Sequence, residues 1–348
     1  MSASDQVINK DAFLQDTEQP ATSAGAGNTE RELENTLRPT GFAEFVGQTR
    51  VVENLRIAIR AARERGEALD HVLLSGPPGL GKTSLARILA TESEVTLHTT
   101  SGPALERPRD LVGILTQLQP GDIFFVDEIH RTPISVEEFL YSAMEDFSVD
   151  FTLDQGPNAR ILPLKIAPFT LVGATTREGL LSAPMRSRFG LLERLTPYPN
   201  EDLVSILQRS ASILNVEITE QAALLTASRS RGTPRVANRF LRRARDLAQV
   251  NGARTIDEAL GIESLERLGV DANGLEEMDR QILICLAHSQ GQAVGLKTIA
   301  ASVGESEDTI EEVFEPHLLR KGFIQKTARG RMVTETGVRA IAGFNENS

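Results

Sequence analysis

The segment Gly76–Thr83, with the sequence GPPGLGKT, constrains this chain more than any other stretch. It fits the pattern G-x-x-x-x-G-K-[ST], and it lies between an apolar run and a stretch of helix-forming residues. Glycines at these spacings allow backbone N–H groups to face phosphate oxygens at a helix N-terminus, where the helix dipole attracts anions. A structural turn would need neither the lysine nor the threonine. The segment therefore predicts a phosphate-binding loop (P-loop) between a buried strand and a helix.

Two acidic residues that follow a second apolar strand complete the predicted hydrolytic site. Lys82 supplies a positive charge for the β- and γ-phosphates, and the Thr83 hydroxyl is a hard oxygen ligand suited to Mg²⁺. The strand Ile123–Val126 is followed by Asp127 and Glu128, at the sheet edge where the P-loop also lies. Asp127 is predicted to hold Mg²⁺ through its water shell, and Glu128 to polarise the attacking water.

Two further positions fit this chemistry, and each has an ordinary alternative. The strand Phe169–Gly173 ends in hydroxyl residues, so Thr176 is placed to sense the γ-phosphate, although threonine-rich strand ends are common. The stretch Gly232–Arg235 predicts a helix start with Thr233 as the N-cap and proline in the first turn. This fixes Arg235 at a helix N-terminus, but the residue could equally be one more solvated arginine. Composition does not separate these two interpretations.

The pattern along the chain predicts an acidic disordered tail and three domains. Residues 1–35 are polar, acidic and without a sustained period. Residues 36–198 alternate buried strands with helices, which indicates an α/β domain with a mostly parallel sheet. Residues 199–270 show helical spacing and no convincing strand, so they predict a small helical domain. Residues 271–348 begin with a short linker at Asp271–Gly274 and then predict three helices and a β-hairpin, which is typical of a winged helix.

The individual elements are predicted from short runs of apolar residues. In the α/β domain the predicted strands are His71–Ser75, Val95–Thr99, Ile123–Val126 and Phe169–Gly173. The predicted helices there are Val51–Arg65, Thr83–Glu92, Pro108–Leu118 and Ser135–Met144. In the last domain the predictions are helices Glu276–His288, Leu296–Val303 and Ser306–Lys321, and strands Phe323–Thr327 and Met332–Glu335.

Composition limits the compartment and the partners. The sequence has no apolar run of the roughly 20 residues that span a bilayer, and Cys285 is its only cysteine. We therefore expect a cytoplasmic protein without disulfides and without a membrane partner. The net charge of −11 does not by itself indicate a nucleic-acid binder. The segment 316–334, however, carries several bases and no acid, and a local basic surface is what a phosphate backbone meets.

A set of motifs in one order gives this chain a resemblance to a known family. The motifs are Leu37-Arg38-Pro39, Val46-Gly47-Gln48, GPPGLGKT, SGPALERP, GDIFFVDEIHR, AMEDF, GATTREGLLSAPMRSRFG, RSRGTPRVANRFLRR and GFIQKTARGR. Over roughly residues 37–335 the chain resembles the RuvB family, the bacterial AAA+ motors that drive branch migration of Holliday junctions. The resemblance implies an AAA+ P-loop NTPase domain, a small helical lid and a C-terminal winged-helix domain. It also implies a homohexameric ring on duplex DNA, with ATP bound between adjacent subunits, and roles in DNA recombination, DNA repair and the SOS response.

The resemblance assigns site residues by motif position. Arg235 would contact the nucleotide bound in its own subunit, and Arg188 would reach the γ-phosphate bound by a neighbour. The predicted adenine pocket consists of Leu37, Arg38, Val46 and Tyr198. Phosphates and Mg²⁺ would be held by Gly79, Gly81, Lys82, Thr83 and Ser84. Further nucleotide-binding positions are Glu145, Asp146 and Phe147.

The resemblance also implies two macromolecular contacts. The segment Phe147–Ile166 alternates apolar residues around a turn at Gln155–Asn158, and in the family such a hairpin docks on the junction-binding partner RuvA. Its alternative is an antiparallel pair packed within the domain. In the wing, Lys326 and Arg331 would contact DNA phosphates, with Arg329 adjacent. The alternative there is a solvated cationic hairpin on a winged helix that binds protein. The resolvase RuvC is a further partner to expect.

Departures from the family pattern are few, and two other functions remain open. Ser84 and Lys326 replace the usual threonine and arginine, and Arg109 stands where glycine is usual. A different AAA+ machine, such as a clamp loader or protein unfoldase, would show an SRC-type finger or an aromatic pore loop, and neither is found. A slowly hydrolysing, site-specific DNA-binding switch is the alternative from another functional class.

Overall fold

The computed structural model describes residues 34–152 and 161–342, and those from Pro39 onward belong to one compact unit. Nearly all of the predicted acidic tail, 1–35, lies outside the described residues. So does the predicted turn Gln155–Asn158. No helix in the described ranges is long and apolar enough to cross a membrane.

The α/β domain is built on a five-stranded parallel sheet in the order β2-β3-β6-β1-β7. Its strands are β1 (Val72–Ser75), β2 (Leu97–Ser101), β3 (Ile123–Asp127), β6 (Thr170–Thr175) and β7 (Leu191–Arg194). The central strands are apolar on both faces. Leu74 packs in one core cluster and Leu73 in the other, so that helices cover the sheet on both sides. The predicted parallel α/β architecture is confirmed.

Helices surround this sheet close to the predicted positions. They are α1 (Thr49–Arg65), α2 (Lys82–Ser93), α3 (Pro108–Leu115), α4 (Ile134–Asp146) and α5 (Ala183–Ser187). Strand β2 begins two residues later than predicted, because Glu94 adopts a left-handed cap (φ 59°) and the Val95 N–H closes α2 on the Ala90 carbonyl. Strand β7 is not predicted from the sequence. It lies at the edge of the sheet, where most of its residues are not fully buried and so lack the continuous apolar run of the central strands.

An antiparallel hairpin is inserted between α4 and β6. It consists of β4 (Ser148–Thr152) and β5 (Ile161–Lys165), with Val149 opposite Leu164. Val149 is buried, and the Phe147 ring packs edge-on against Phe169 at 6.1 Å between centroids. The base of the hairpin therefore belongs to the domain core, so part of its apolar alternation serves packing within the domain.

The lid, residues 199–270, is helical and shares a core with one face of the sheet. Its helices are α6 (Asn200–Ile213), α7 (Glu220–Arg229), α8 (Pro234–Val250) and α9 (Glu258–Arg267). Leu203 and Leu241 of the lid join the same apolar cluster as Leu55 and Leu85 of the α/β domain. The expectation of no strand was wrong in one detail, because β8 (Glu217–Ile218) and β9 (Thr255–Ile256) form a two-residue parallel pair.

The head, residues 271–342, has its own apolar core and the predicted winged-helix elements. These are α10 (Glu277–His288), α11 (Leu296–Val303), α12 (Glu307–Thr309), a π-helical turn (Ile310–Phe314), α13 (Glu315–Arg320), β10 (Ile324–Thr327), β11 (Gly330–Val333) and α14 (Glu335–Ile341). The π-helical turn and α14 were not predicted. Strand β11 lies two residues earlier than predicted, paired with β10 through Lys326 and Arg331.

Polar contacts join the head to the lid. The predicted linker Asp271–Gly274 is an ordered turn, since the Asp271 carboxylate accepts the Asn273 and Leu275 N–H groups. Arg231 of the lid donates to the buried Asp279 of the head at 2.6 Å. Burial raises the pKa of Asp279 to about 6, against the opposing effect of Arg231. This junction is therefore an ordered ionic contact.

Candidate nucleotide site and wing

The P-loop follows β1 directly and leads into α2, as predicted. Gly76 and Gly79 have φ values of 135° and 77°, which side chains rarely adopt. A Cβ at Gly76 would lie 2.5 Å from the Leu195 carbonyl oxygen, and one at Gly79 would lie 2.8 Å from Thr233 Cγ2. The loop is therefore closed against the α/β domain on one side and the lid on the other, with its backbone free of side chains.

Lys82 is buried at the start of α2 and held by the loop itself. Its Nζ donates to the carbonyls of Gly76 and Pro77 at 2.6 and 2.9 Å. Burial lowers the pKa of Lys82 to about 8, although Asp127 and Glu128 nearby act in the opposite direction. The ammonium group is thus poorly solvated and, within the described residues, is held by carbonyl oxygens and not by a direct ion pair, which favours binding of phosphate oxygens.

Asp127 and Glu128 lie where the sequence predicts, at the end of β3 beside the P-loop. Glu128 adopts a left-handed conformation (φ 50°), which is a strained position for a residue with a Cβ. Burial, and then the neighbouring Asp127 and Glu312 carboxylates, raise the pKa of Glu128. A carboxylate with a raised pKa is a better proton acceptor, as a group that activates water requires.

His130 belongs to this site but was not predicted. Its Nδ1 lies 2.9 Å from the Thr175 hydroxyl, and its Nε2 lies 3.5 Å from the Glu128 carboxylate. The Thr175 oxygen also accepts the Arg177 N–H, so one hydroxyl joins His130 to the backbone that follows β6. Burial lowers the pKa of His130, which keeps the ring neutral. The only sequence signal was a histidine two residues after the acid pair.

Thr176 follows β6 at the same edge of the sheet, and a residue of the head contacts it. Its hydroxyl donates to the Glu312 carboxylate at 3.3 Å, and the adjacent Arg177 is ion-paired to Glu312 at 2.7 Å. Sequence reasoning predicted Thr176 at the site but missed Arg177 and Glu312. No sequence pattern links residues that are about 135 positions apart.

Arg235 lies at the start of α8, directly against the P-loop. Its N–H faces the Gly79 carbonyl at 3.5 Å, and its Cβ would be 3.0 Å from a Cβ at Gly79. Thr233 occupies the predicted N-cap position with proline next to it, but its hydroxyl makes no capping hydrogen bond and instead faces the Arg231 carbonyl. The predicted helix start is confirmed, and the capping role of the Thr233 side chain is wrong.

A cavity of about 280 Å³ lies beside the loop at the lid junction, lined among others by Gln48 and Tyr198. The Tyr198 hydroxyl donates to the Leu80 carbonyl at 3.1 Å, and burial raises the pKa of this phenol. Val46 is half-buried two residues before Gln48. Tyr198 is thus a predicted adenine-pocket residue that lines this cavity and also contacts the P-loop, at Leu80.

The other residues predicted to bind the base or the phosphates lie at the start of the chain, in the P-loop and in α2. Leu37 and Arg38 belong to the separate unit Met1–Arg38, so their role stays a prediction. Gly81 has φ 105° in the loop, where a Cβ would lie 3.2 Å from the Phe45 ring, and Ser84 is buried inside α2.

Arg188 forms a separate cluster at the end of α5. Its guanidinium stacks on the Tyr141 ring at 4.5 Å, pairs with Glu145 at 3.0 Å and donates to the Pro184 carbonyl at 2.7 Å. Asp146 is exposed beside Glu145, whereas Phe147 packs into the core. The contacts of Arg188 within the described residues therefore include no P-loop residue.

The wing cations are placed at the predicted hairpin, but two of the three are paired with acids. Lys326 Nζ lies 2.9 Å from Glu315 and 3.3 Å from Glu311. Arg331 binds the same two carboxylates, with Nε 2.5 Å from Glu315. Arg329 is exposed, and its side chain forms no ion pair within the described residues. Arg329 is thus the wing cation most available to a phosphate.

The residues at the loop fit a magnesium–nucleotide complex. The glycine backbone forms a cradle that side chains would fill, Lys82 is a buried cation, and the half-buried Thr83 and Asp127 offer the hard oxygens that Mg²⁺ prefers. Within the described residues, no cluster of three or more histidine, cysteine or acidic side chains forms a separate metal site. The magnesium would therefore be held by few protein ligands together with phosphates, as is usual for P-loop sites.

Sequence profiles of one family match the chain in three consecutive segments. The profile described as "Holliday junction DNA helicase RuvB P-loop domain" matches residues 37–195. The "RuvB AAA lid domain" matches 198–271, and the "RuvB C-terminal winged helix domain" matches 272–342.

Curated relatives and solved structures agree with these profiles. The chain is 58% identical over 303 residues to the "Holliday junction branch migration complex subunit RuvB" of Myxococcus xanthus, covering 87% of this chain and 88% of that protein. It is 56% identical over 309 residues to the protein of the same name from Latilactobacillus sakei, covering 88% and 92%. The solved structure of the Thermotoga maritima RuvB Holliday junction branch migration motor superimposes with a TM-score of 0.81 at 48% identity, covering 88% of this chain and 98% of that one.

Proposed function

Because the chain belongs to the RuvB family of AAA+ ATPases, we propose that it is a motor that uses ATP to drive branch migration of Holliday junctions. The observation that carries the proposal is the family match in all three domains, 37–342, rather than in the ATPase domain alone. A nucleotide site and a basic wing in one chain are the parts that such a motor requires.

The hydrolytic chemistry follows from the residues around the P-loop. Bound Mg²⁺ would neutralise charge on the phosphates and would be held by Thr83 and Asp127. Lys82 holds the β- and γ-phosphates, and Glu128 accepts the proton of the attacking water. The neutral His130, whose Nε2 faces the Glu128 carboxylate, keeps that carboxylate in place, and the orientation of the ring is fixed in turn by Thr175.

The remaining site residues contact the nucleotide from the end of the sheet, from the lid and from an adjacent subunit. Thr176 orients the γ-phosphate or the water, and Arg235 contacts the nucleotide from the lid. Arg188 contacts the nucleotide of an adjacent subunit. Its position supports this role, because it lies against Tyr141 and Glu145 and, within the described residues, has no contact with its own P-loop. Such arginines contribute about 10³–10⁵ in rate in characterised GTPases. A site completed in this way requires a ring, for which we propose a homohexamer.

The proposed partners are duplex DNA, the four-way junction and RuvA. The names of the relatives, "branch migration complex subunit", state that those proteins act in a complex. RuvA would bind the hairpin formed by β4 and β5, and the wing would contact phosphates through Arg329, Lys326 and Arg331. Phosphate contacts position a protein without reading bases, which suits a motor that moves over any sequence. Binding to RuvC, a cytoplasmic location and a part in the SOS response remain predictions.

The test is ATP-dependent branch migration of a synthetic four-way junction of random sequence, with and without a RuvA partner. We expect conversion to duplex products that requires ATP, is increased by RuvA and is absent in the Lys82→Ala variant. Tight binding to one DNA sequence with slow turnover and no branch migration would instead support a regulatory switch and contradict the motor.

A further inference from the structure

The π-helical turn Ile310–Phe314 of the head carries two consecutive acids that contact different parts of the molecule. Glu312 contacts Thr176 and Arg177, which follow β6 in the ATPase domain, whereas Glu311 contacts both Arg177 and the wing. Single π-helical turns within helices are uncommon and often occur at functional sites. Here the turn lies between the wing and the hydrolytic site.

On the ATPase side, the two acids hold the residues that follow β6. Arg177 Nε lies 2.7 Å from one Glu312 oxygen, and the Thr176 hydroxyl lies 3.3 Å from the other. A second guanidinium nitrogen of Arg177 lies 2.9 Å from Asp308 and 3.6 Å from Glu311. Glu312 therefore constrains both the hydroxyl of Thr176 and the backbone segment that carries it.

Glu312 also lies within the electrostatic reach of the hydrolytic groups. Its charge raises the pKa of Glu128, after the larger effects of burial and Asp127. It also opposes the lowering of the Lys82 pKa by burial. Any coupling through Glu312 depends on its contacts with Thr176 and Arg177.

On the wing side, Glu311 is paired with the cations that are proposed to contact DNA. Its Oε1 lies 3.3 Å from both Lys326 Nζ and an Arg331 guanidinium nitrogen, while its Oε2 faces Arg177. Glu315, fully buried, holds the same two wing cations from the other side. One carboxylate thus connects the proposed DNA contact to the residue after Thr176.

A phosphate that binds Lys326 competes with Glu311 for the same positive charge. Glu311 and Arg177 have side chains that are 38% and 23% exposed, so their interaction is less screened than that of a fully exposed pair. When Lys326 and Arg331 bind a phosphate, the Glu311 carboxylate loses their contacts and keeps only its contact with Arg177. By linkage, a change at Arg177 must in turn change the affinity of the wing for DNA.

We propose that Glu311 and Glu312 are positioning residues that couple DNA contact at the wing to Thr176 and Arg177 at the hydrolytic site. The proposal rests on the proposed function, because it takes the wing to bind DNA and the P-loop site to hydrolyse ATP. It adds a route within one subunit by which DNA regulates turnover.

The experiment measures ATP turnover of the full-length protein with and without random-sequence duplex DNA, together with DNA affinity by fluorescence anisotropy. Glu311→Gln removes the charge and keeps the shape, and coupling energies between sites typically correspond to about 5–150-fold. We expect the stimulation ratio to fall by about fivefold or more, with KM for ATP changed by less than about twofold. DNA affinity should be unchanged or higher, because a carboxylate that competes with phosphate is gone.

Two further variants separate positioning from a structural effect. Glu311→Asp keeps the charge and should recover at least about half of the lost stimulation. Glu312→Gln should lower kcat with and without DNA by about tenfold while KM for ATP stays within about twofold, since it removes the ion pair with Arg177 that holds the segment carrying Thr176. The matched control is Glu335→Gln, an exposed head acid paired with Arg339, which should behave as wild type.

The outcomes distinguish this coupling from the proposed function. If DNA does not stimulate ATP turnover by the wild-type protein, both the coupling and the proposed function are overturned. Wild-type stimulation that persists in Glu311→Gln, or that is lost equally in Glu335→Gln, overturns the coupling alone. Failure of Glu311→Gln to fold also counts against it, because a carboxylate whose role is coupling should not be required for folding.

Discussion

Substitution of Gly79 by alanine tests the contact between the P-loop and the lid. Gly79 has φ 77°, and a Cβ there would lie 2.8 Å from Thr233 Cγ2 and 3.0 Å from Arg235 Cβ. The left-handed conformation costs about 1–2 kcal/mol for a residue with a side chain. Overpacking at a tight contact adds about 1–3 kcal/mol. The strain in the closed arrangement is therefore about 2–5 kcal/mol.

This strain should appear as a loss of nucleotide affinity, because the loop backbone and Arg235 are both proposed to contact the nucleotide. At about 1.4 kcal/mol per tenfold, we expect Gly79→Ala to weaken binding by about 30-fold or more. The assay is titration with a fluorescent ATP analogue, followed by anisotropy. The double variant Gly79→Ala/Thr233→Ser removes the nearest methyl group and should recover about tenfold, leaving the conformational cost.

Gly113→Ala is the matched control. Gly113 lies in α3, where a Cβ would have no atom within 4 Å, and it has no positive φ. Its substitution should leave nucleotide affinity unchanged and should stabilise the helix by about 0.5–1 kcal/mol. Affinity of Gly79→Ala within about threefold of wild type would refute the argument that this contact closes the site.

Three other predictions concern the same machinery. Lys82→Ala and Arg188→Ala should each be inactive in ATP turnover, and mixing them should restore part of it; rings that form without any recovery would contradict the role of Arg188 in a neighbouring site. Burial lowers the pKa of Lys82 to about 8, so the charged form that binds phosphate is lost as pH rises. ATP affinity should therefore fall between about pH 7 and 9, and a flat profile in direct titrations would show that the ammonium is not the ligand. Arg329→Ala should weaken DNA binding on all sequences and reduce the slope of log K against log salt by about one, whereas Arg339→Ala should not. An unchanged slope for Arg329→Ala would exclude a phosphate contact.

The parts of the site that the sequence predicted are those whose chemistry is local. Gly79, Lys82 and Thr83 lie within one turn of chain, and Asp127 directly follows an apolar strand, so spacing alone places them at the same sheet edge. Thr176 follows the end of a further parallel strand, so it reaches the same edge. These positions need no knowledge of tertiary packing.

The parts that were missed depend on contacts between distant segments. The pairing of Arg177 with Glu312 joins two domains, and the pairing of Lys326 with the buried Glu315 appears in sequence only as a basic stretch beside an acidic one. His130, in the turn that follows β3, takes its role from the hydroxyl of Thr175 at the end of β6. Periodicity and motif spacing contain no information about such partners.

The way in which the domains are joined has a mechanical consequence. The lid and the sheet share one apolar core, whereas the head has a separate core and meets the others through ionic contacts, of which Arg231–Asp279 is buried and Arg177–Glu312 is partly exposed to solvent. Apolar contact is hardly weakened by added salt, but ion pairs with access to solvent are screened by it. The sheet and lid should thus behave as one stiff body that transmits torque. The head should be more flexibly attached, and both the stiffness of its attachment and its affinity for DNA should depend on ionic strength.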